Sequence, residues 1–253
     1  MFPGYFLDGE RYNQPMHSIT LALLLNLPLP AFAADVMGQV PAISLAELAS
    51  RSDLVVLAQA RETDYLRRRG IPVSGSAYLQ VLIPYKTDQA VDIVEVYEKG
   101  LHDNECYFPN PDVSEEGRRY LLFLKRDPED EKRYRGLAEG CALDVLVDGN
   151  NRYAVRYPVD GINLSDPLDS AARRMTFSDS YAVVQDDDLS PARRSTMLQA
   201  GQIEPYSSAP SVTSDQAAEW APETEPKGRQ WIYTTGVSLT RVRELMGAEN
   251  LGH

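Results

Sequence analysis

Residues 117–127, GRRYLLFLKRD, place Tyr120, Leu121, Leu122, Phe123 and Leu124 in one unbroken apolar run between charged flanks. A strand with one wet face alternates apolar and polar side chains, so an unbroken run of this length predicts a central strand covered on both faces. The only two cysteines, Cys106 and Cys141, fall on either side of it. A bond between them would fasten the segment before the strand to the segment after it.

The state of the cysteines depends on the compartment. Residues 19–33, ITLALLLNLPLPAFA, are apolar apart from Asn26 and end in Ala31-Phe32-Ala33. Small residues at the ends of that triplet match a signal-peptidase site, with cleavage expected before Ala34. The run is short for a membrane span, and Pro28 and Pro30 would break a helix through it. Residues 1–15 carry Asp8 and Glu10 against a single Arg11, not the basic start of a leader, which points to Met16 as the true start. A buried N-terminal helix is the competing reading. Residues 1–33 are therefore expected to be a signal peptide, and the remainder a periplasmic or secreted protein without stable membrane insertion. In an oxidising compartment, two cysteines with no Cys-x-x-Cys and no histidine cluster nearby are expected to form a disulfide, with two free thiols as the alternative.

Along the chain, Ser44-x-x-Glu47 is a capping-box pattern that predicts a short helix with Leu45, Leu48 and Ala49 turned inward. Strands are predicted at 54–58, 78–85 and 91–97, with residues 64–76 a polar loop containing Gly70, Pro72 and Gly75. Pro84 places its strand at an edge or ends the pairing there. Leu143 to Val147 and Tyr153 to Tyr157 flank the turn Asp148-Gly149-Asn150-Asn151, the clearest hairpin in the sequence. Together these give a β-domain over 34–161.

The composition shifts over 162–253, a C-terminal extension. Helices are expected at 165–175 and 190–200, the second with Ser190 as N-cap, Pro191 at the first position and Gly201 after the end. Residues 207–228 are rich in Ser, Pro, Ala and Glu and are expected to be flexible. Trp231-Ile232-Tyr233 restores order. Ser238 then caps a last helix, with Leu239, Val242, Leu245 and Met246 on one face, which is expected to dock back on the barrel.

Three stretches, SLAELASRSDLVVLAQA (44–60), GRRYLLFLKR (117–126) and EGCALDVLVDGNNRY (139–153), together resemble the netrin-like, OB-type barrel. That is the fold of tissue inhibitors of metalloproteases, and it also occurs in secreted bacterial proteins of unknown role. The resemblance spans 43–157. It implies a mainly β fold, a small closed or partly open OB-type barrel with a short N-terminal helix and a partly helical C-terminal extension. In the inhibitors an N-terminal cysteine chelates the target's zinc. Here the expected mature terminus is Ala34 and the nearest cysteine is Cys106, so that activity is not implied.

The inventory of reactive groups is thin. His17 lies in the leader and His253 is the last residue, which leaves His102. A Ser-His-Asp triad could use only His102, whose neighbours Asp103 and Glu105 read more simply as a polar loop. There is no Gly-x-Ser-x-Gly elbow, no His-Glu-x-x-His helix and no phosphate-cradling loop, and no cofactor or metal is expected. Asp186-Asp187-Asp188 lacks the alternating spacing of a calcium loop and reads as a solvated turn before the Ser190 helix. A net charge of −12 argues against binding nucleic acid, and the runs Arg67-Arg68-Arg69 and Arg173-Arg174 read as solvated faces.

Tyr153 and Tyr157 fall on one face of a hairpin strand, where they would serve as a ligand platform or as cross-strand packing. Two functions remain. The first is an exported, non-enzymatic binding module for an envelope or extracellular protein or glycan. The second is a carboxylate-dependent hydrolase of envelope polymers, using an unidentified pair among the 37 acids.

Overall fold

The structure, a computed structural model, describes residues 41–101, 106–112, 115–206 and 229–247. The expected leader, His102 with Asp103 and Glu105, and the segment 207–228 lie outside the described residues. The chain opens with helix α1 (Leu45–Arg51) and strands β1 (Leu54–Thr63), β2 (Leu66–Arg68), β3 (Ile71–Lys86), β4 (Ile93–Lys99), β5 (Arg119–Arg126) and β6 (Tyr134–Gly136). The hairpin β7 (Ala142–Val147) and β8 (Tyr153–Arg156) follows, then α2 (Leu168–Ala171), β9 (Arg173–Arg174) and β10 (Val183–Gln185). The last elements are α3 (Pro191–Gln199), β11 (Ile203–Tyr206), β12 (Gln230–Tyr233), β13 (Thr235–Ser238) and α4 (Leu239–Met246).

Strand β5 is central, and its unbroken apolar run is covered on both faces. Tyr120, Leu122 and Leu124 point into the barrel with Leu54, Val56, Val94 and Val96. Leu121 and Phe123 point the other way, into a second core with Val55 and Leu57 under helices α1 and α4. The two cores share β1 and β5 as their common wall, which is why neither strand alternates in polarity.

The barrel closes in the order β1-β3-β4-β6-β5 and returns to β1. Its one parallel contact joins β4 to β6 at Val96 and Tyr134. Five strands closed in this way are compatible with an OB-type barrel. Beyond Leu122, β5 exchanges one neighbour for another: β7 pairs with residues 119–122 and β6 with residues 124–126. From that branch the sheet runs on through β8, β13 and β9. A separate three-stranded sheet, β10-β12-β11, packs its Trp231, Tyr233 and Ile203 against Leu146 and Ala154 of the hairpin.

The helices begin and end where local chemistry dictates. The Glu47 N–H donates to Ser44 Oγ at 3.1 Å, and Leu45, Leu48 and Ala49 are buried. Ser190 caps α3, with Pro191 in the first turn. Ser238 caps α4 through the Arg241 N–H, and Gly247 stops it with φ 65°. Each such cap is worth about 1 kcal/mol. Val242 and Met246 of α4 are buried in the same core as α1, so the last helix does dock back.

The bond between Cys106 and Cys141 is present, with Cα atoms 6.1 Å apart. It ties the irregular segment before β5 to the start of β7. Gly117 shows how closely chain segments pass here: an added Cβ would meet the Ala60 carbonyl oxygen at 1.9 Å.

Two local expectations give way to tertiary pairing. Residues 64–76, read as a loop, instead form β2 and the start of β3, because their backbone pairs with itself and then with β4. The helix expected over 165–175 is reduced to α2, and Arg173–Arg174 become β9, held by β13. Strand β4 runs over 93–99, with Val94, Val96 and the buried Glu98 facing inward. Pro84 lies past Gln80, the last β3 residue paired with β4, where β1 is the only neighbour and the missing N–H costs nothing. Pairing with β1 nonetheless continues to Lys86.

Candidate functional site

Where β7 and β8 leave the barrel, the face that was barrel interior on β5 becomes the floor of an open cleft. Successive side chains alternate across a strand, so Leu143 and Val145 join the core under the helices while Asp144 and Leu146 face the other way. Val145 pairs with Val155, which sets Asp144 opposite Arg156. Tyr120 is the β5 partner of Asp144, and Gly236 of β13 is the partner of Arg156. One row of side chains thus runs across the sheet: Tyr120, Asp144, Arg156.

The cleft above this row has a volume of about 610 Å³. One wall is the segment Pro109, Asn110, Pro111 and Asp112 with Glu115 and Arg118. The other is built from Tyr181, Val183, Val184, Asp188, Leu189 and Arg193, and Asp144, Arg156, Asp160 and Tyr233 complete it. Five carboxylates face three guanidinium groups there, a local charge of −2.

Arg156 is the hub. Its side chain is only 10 % exposed, and its Nη2 lies 2.5 Å from Asp144 Oδ2 and 2.9 Å from Asp160 Oδ2. Its guanidinium lies 4.7 Å over the Tyr233 ring, and Nη1 donates to the Tyr233 hydroxyl. Burial disfavours its charge, but Asp144, Tyr233 and Asp160 outweigh that and raise its pKa. Arg118 reaches Asp144 at 3.8 Å and lies over the Tyr181 ring at 5.4 Å. Arg193 pairs with the second oxygen of Asp160.

On this row, Arg156 Nε and the Tyr120 hydroxyl are buried without a hydrogen-bond partner among the described residues, Tyr120 lying in the barrel core beside the cleft. Tyr120 is 5 % exposed, and burial pushes its pKa well above the ordinary tyrosine value. Arg118, Asp144, Tyr181 and Arg156, the charged and phenolic groups acting on that hydroxyl, all line the cleft.

Tyr153 and Tyr157 lie on the opposite face of β8 from Arg156. Both are half-buried against the core under the helices, and Tyr157 also borders a small hollow with Pro158, Ile162 and Asp169. Asp186, Asp187 and Asp188 form a single 3₁₀ turn before α3. Asp186 binds Arg194 at 2.7 Å and accepts from Trp231 Nε1 at 2.7 Å, while Asp188 reaches the cleft. No group of His, Cys, Asp and Glu among the described residues is arranged to hold a metal ion. No helix among them is long and apolar enough to cross a membrane.

Asp144 and Arg156 left a trace in the sequence: each is a charged residue inside an apolar strand, of opposite sign, in a hairpin whose turn fixes the register. Asp160, Arg193 and Tyr233 left none, because each comes from a different element. No protein-family model, curated protein or solved structure matches the chain.

Proposed function

We propose that the protein is an exported, non-enzymatic binding module of netrin-like type. Its cleft between barrel and C-terminal sheet receives a polar, net-cationic segment of an envelope or extracellular protein. The observation that carries this reading is the composition of the open 610 Å³ cleft, five carboxylates against three guanidinium groups. The excess of carboxylates selects a cationic segment. Asp188, which has no ion-pair partner among the described residues, offers it an anchor. A glycan fits less well, because Tyr233 is buried and a guanidinium already covers one face of each of the Tyr181 and Tyr233 rings.

A carboxylate-dependent hydrolase is the second reading. Asp144 and Asp160 touch the same Arg156 nitrogen at 2.5 and 2.9 Å, so their Oδ2 atoms are no farther apart than those two contacts combined. That approaches the ~5–5.5 Å separation of a retaining glycosidase pair. Against it, Arg156 occupies the space between them that a sugar would need.

Photo-crosslinking separates the two. A photoreactive residue at Val184, inside the cleft, is expected to capture one discrete envelope protein, and the same probe at the exposed Glu62 is expected not to. Asp188→Lys with Glu115→Lys, which reverses the sign of the cleft, is expected to abolish the capture. Equal labelling at both sites sinks the binding reading. Breakdown of isolated envelope polymer that disappears in Asp144→Asn would replace it with the hydrolase.

A further inference from the structure

The β2–β3 hairpin has a chemistry of its own, away from the cleft. Its pairs are Arg67 with Pro72 and Arg68 with Ile71. Arg69 (φ 52°) and Gly70 (φ 83°) close it, the two positive angles that a tight hairpin turn requires. The last β3–β4 pair is Ser74–Lys99, and the Gly100 N–H still donates to the Val73 carbonyl. From Val73 to Gly70 the hairpin runs on without that neighbour, a projection of about 10 Å at ~3.3 Å per residue.

The projection and its base are both basic and apolar, with Leu66, Lys99 and Leu101 at the base and Arg67 to Ile71 beyond it. Arg67, Arg68 and Arg69 are exposed, and none of them, nor Lys99, pairs with a carboxylate among the described residues; the one bond in the group runs from Arg67 to the Gly70 carbonyl. Asp64, the nearest carboxylate along the chain, is turned back to the Ser76 N–H. Leu66 is 58 % and Ile71 52 % exposed, and Leu101, which follows Gly100, is 61 % exposed.

We propose that this hairpin tip is a peripheral docking site for an anionic phospholipid surface. Basic groups beside exposed aliphatic side chains match the two layers such a surface offers, charged headgroups over the acyl boundary. A nucleic acid would use the arginines but leave Leu66, Ile71 and Leu101 in water. The chain's charge of −12 repels an anionic bilayer, and at physiological salt that repulsion is screened within ~8 Å. The tip extends past the end of β4 by about one such length, so contact through the hairpin and its base is only weakly opposed and is reversible.

Flotation of the full chain with phosphatidylcholine vesicles, with and without phosphatidylglycerol, tests this. Binding is expected only to the doped vesicles and to fall as salt rises. The combined variant Arg67→Ser, Arg68→Ser, Arg69→Asn, with Asn chosen to tolerate the left-handed turn, is expected to weaken binding about 100-fold, at about five-fold per arginine. Lysine at all three positions is expected to retain most of it. Leu66→Ser with Ile71→Ser is expected to weaken binding while keeping its salt dependence. All forms carry the same N-terminal segment, so their differences read the tip alone. Equal binding to doped and undoped vesicles, or equal binding by the wild type and the arginine-free variant, overturns the assignment. Tighter binding to soluble polyglutamate than to vesicles overturns it in favour of an acidic protein partner.

Discussion

Replacing Cys106 and Cys141 together by alanine tests how much of the fold depends on the cross-link. The bond closes 35 residues, and on the chain-entropy model a loop of that length removes about 3.8 kcal/mol of unfolded-state entropy. Both sulfurs are also buried in the barrel core, at 2 % and 6 % exposure. Gly136 packs against the bridge so closely that an added Cβ would lie 3.0 Å from the Cβ of each cysteine. Losing two packed sulfur atoms adds about 1 kcal/mol each. The double variant is therefore expected to be less stable by about 5–6 kcal/mol, between about a third and all of the 5–15 kcal/mol margin typical of a domain. The reduced wild type keeps its sulfurs and should lose only the entropic share. Urea unfolding of the oxidised, reduced and double-alanine proteins separates the two terms. If the cross-link acts on the unfolded chain, the slope against urea should also steepen once it is gone, because more surface is exposed on unfolding. A loss below about 1 kcal/mol with an unchanged slope would refute the reasoning.

Gly117→Ala drives a Cβ into the Ala60 carbonyl at 1.9 Å, where backbone cannot yield as a flexible side chain could; a loss of about 3 kcal/mol or more is expected in thermal unfolding. Lys86 donates through Nζ to the Ala49, Ser50 and Ser52 carbonyls at the C-terminal end of α1. Lys86→Met should cost about 1–2 kcal/mol in the same assay, with hydrogen exchange rising first in residues 45–52. Asp127 has a fully buried side chain. Burial would raise its pKa, but the Glu129 N–H, Arg133 and Arg135 outweigh that and lower it. Its contribution to stability is full above the unfolded value near 4, declines as pH falls through the lowered folded value, and is absent below that. Asp127→Asn should flatten the acid limb of a stability–pH curve while lowering its neutral plateau, and an acid limb as steep as the wild type's would show that other carboxylates set it.

Much of the scaffold was legible in the sequence because the information lay within one element. The run from Tyr120 to Leu124 announced a strand covered twice, and Ser44, Ser190 and Ser238 announced three helix starts. The Asp148-Gly149 turn set the β7–β8 register. Residues 64–76 were illegible because an exposed hairpin of arginine, proline and glycine has no apolar period; only its partners make it a strand. The cleft was harder still. Asp144 and Arg156 are opposed by the hairpin, whereas Asp160, Arg193 and Tyr233 reach them across gaps of up to 77 residues.

The sequence by itself determined the central strand, the β7–β8 hairpin, the three serine-capped helices and the two thiols able to meet, because backbone hydrogen bonding and side-chain alternation act over a few residues. The tertiary structure alone decided that β5 would change neighbours from β6 to β7, and with that change one sheet face passes from barrel interior to open floor. Tyr120 and Arg156 lie on that one face, and what covers each of them is set by elements distant in the chain. No local pattern encodes that covering, since it depends on which surfaces are left after the barrel has closed.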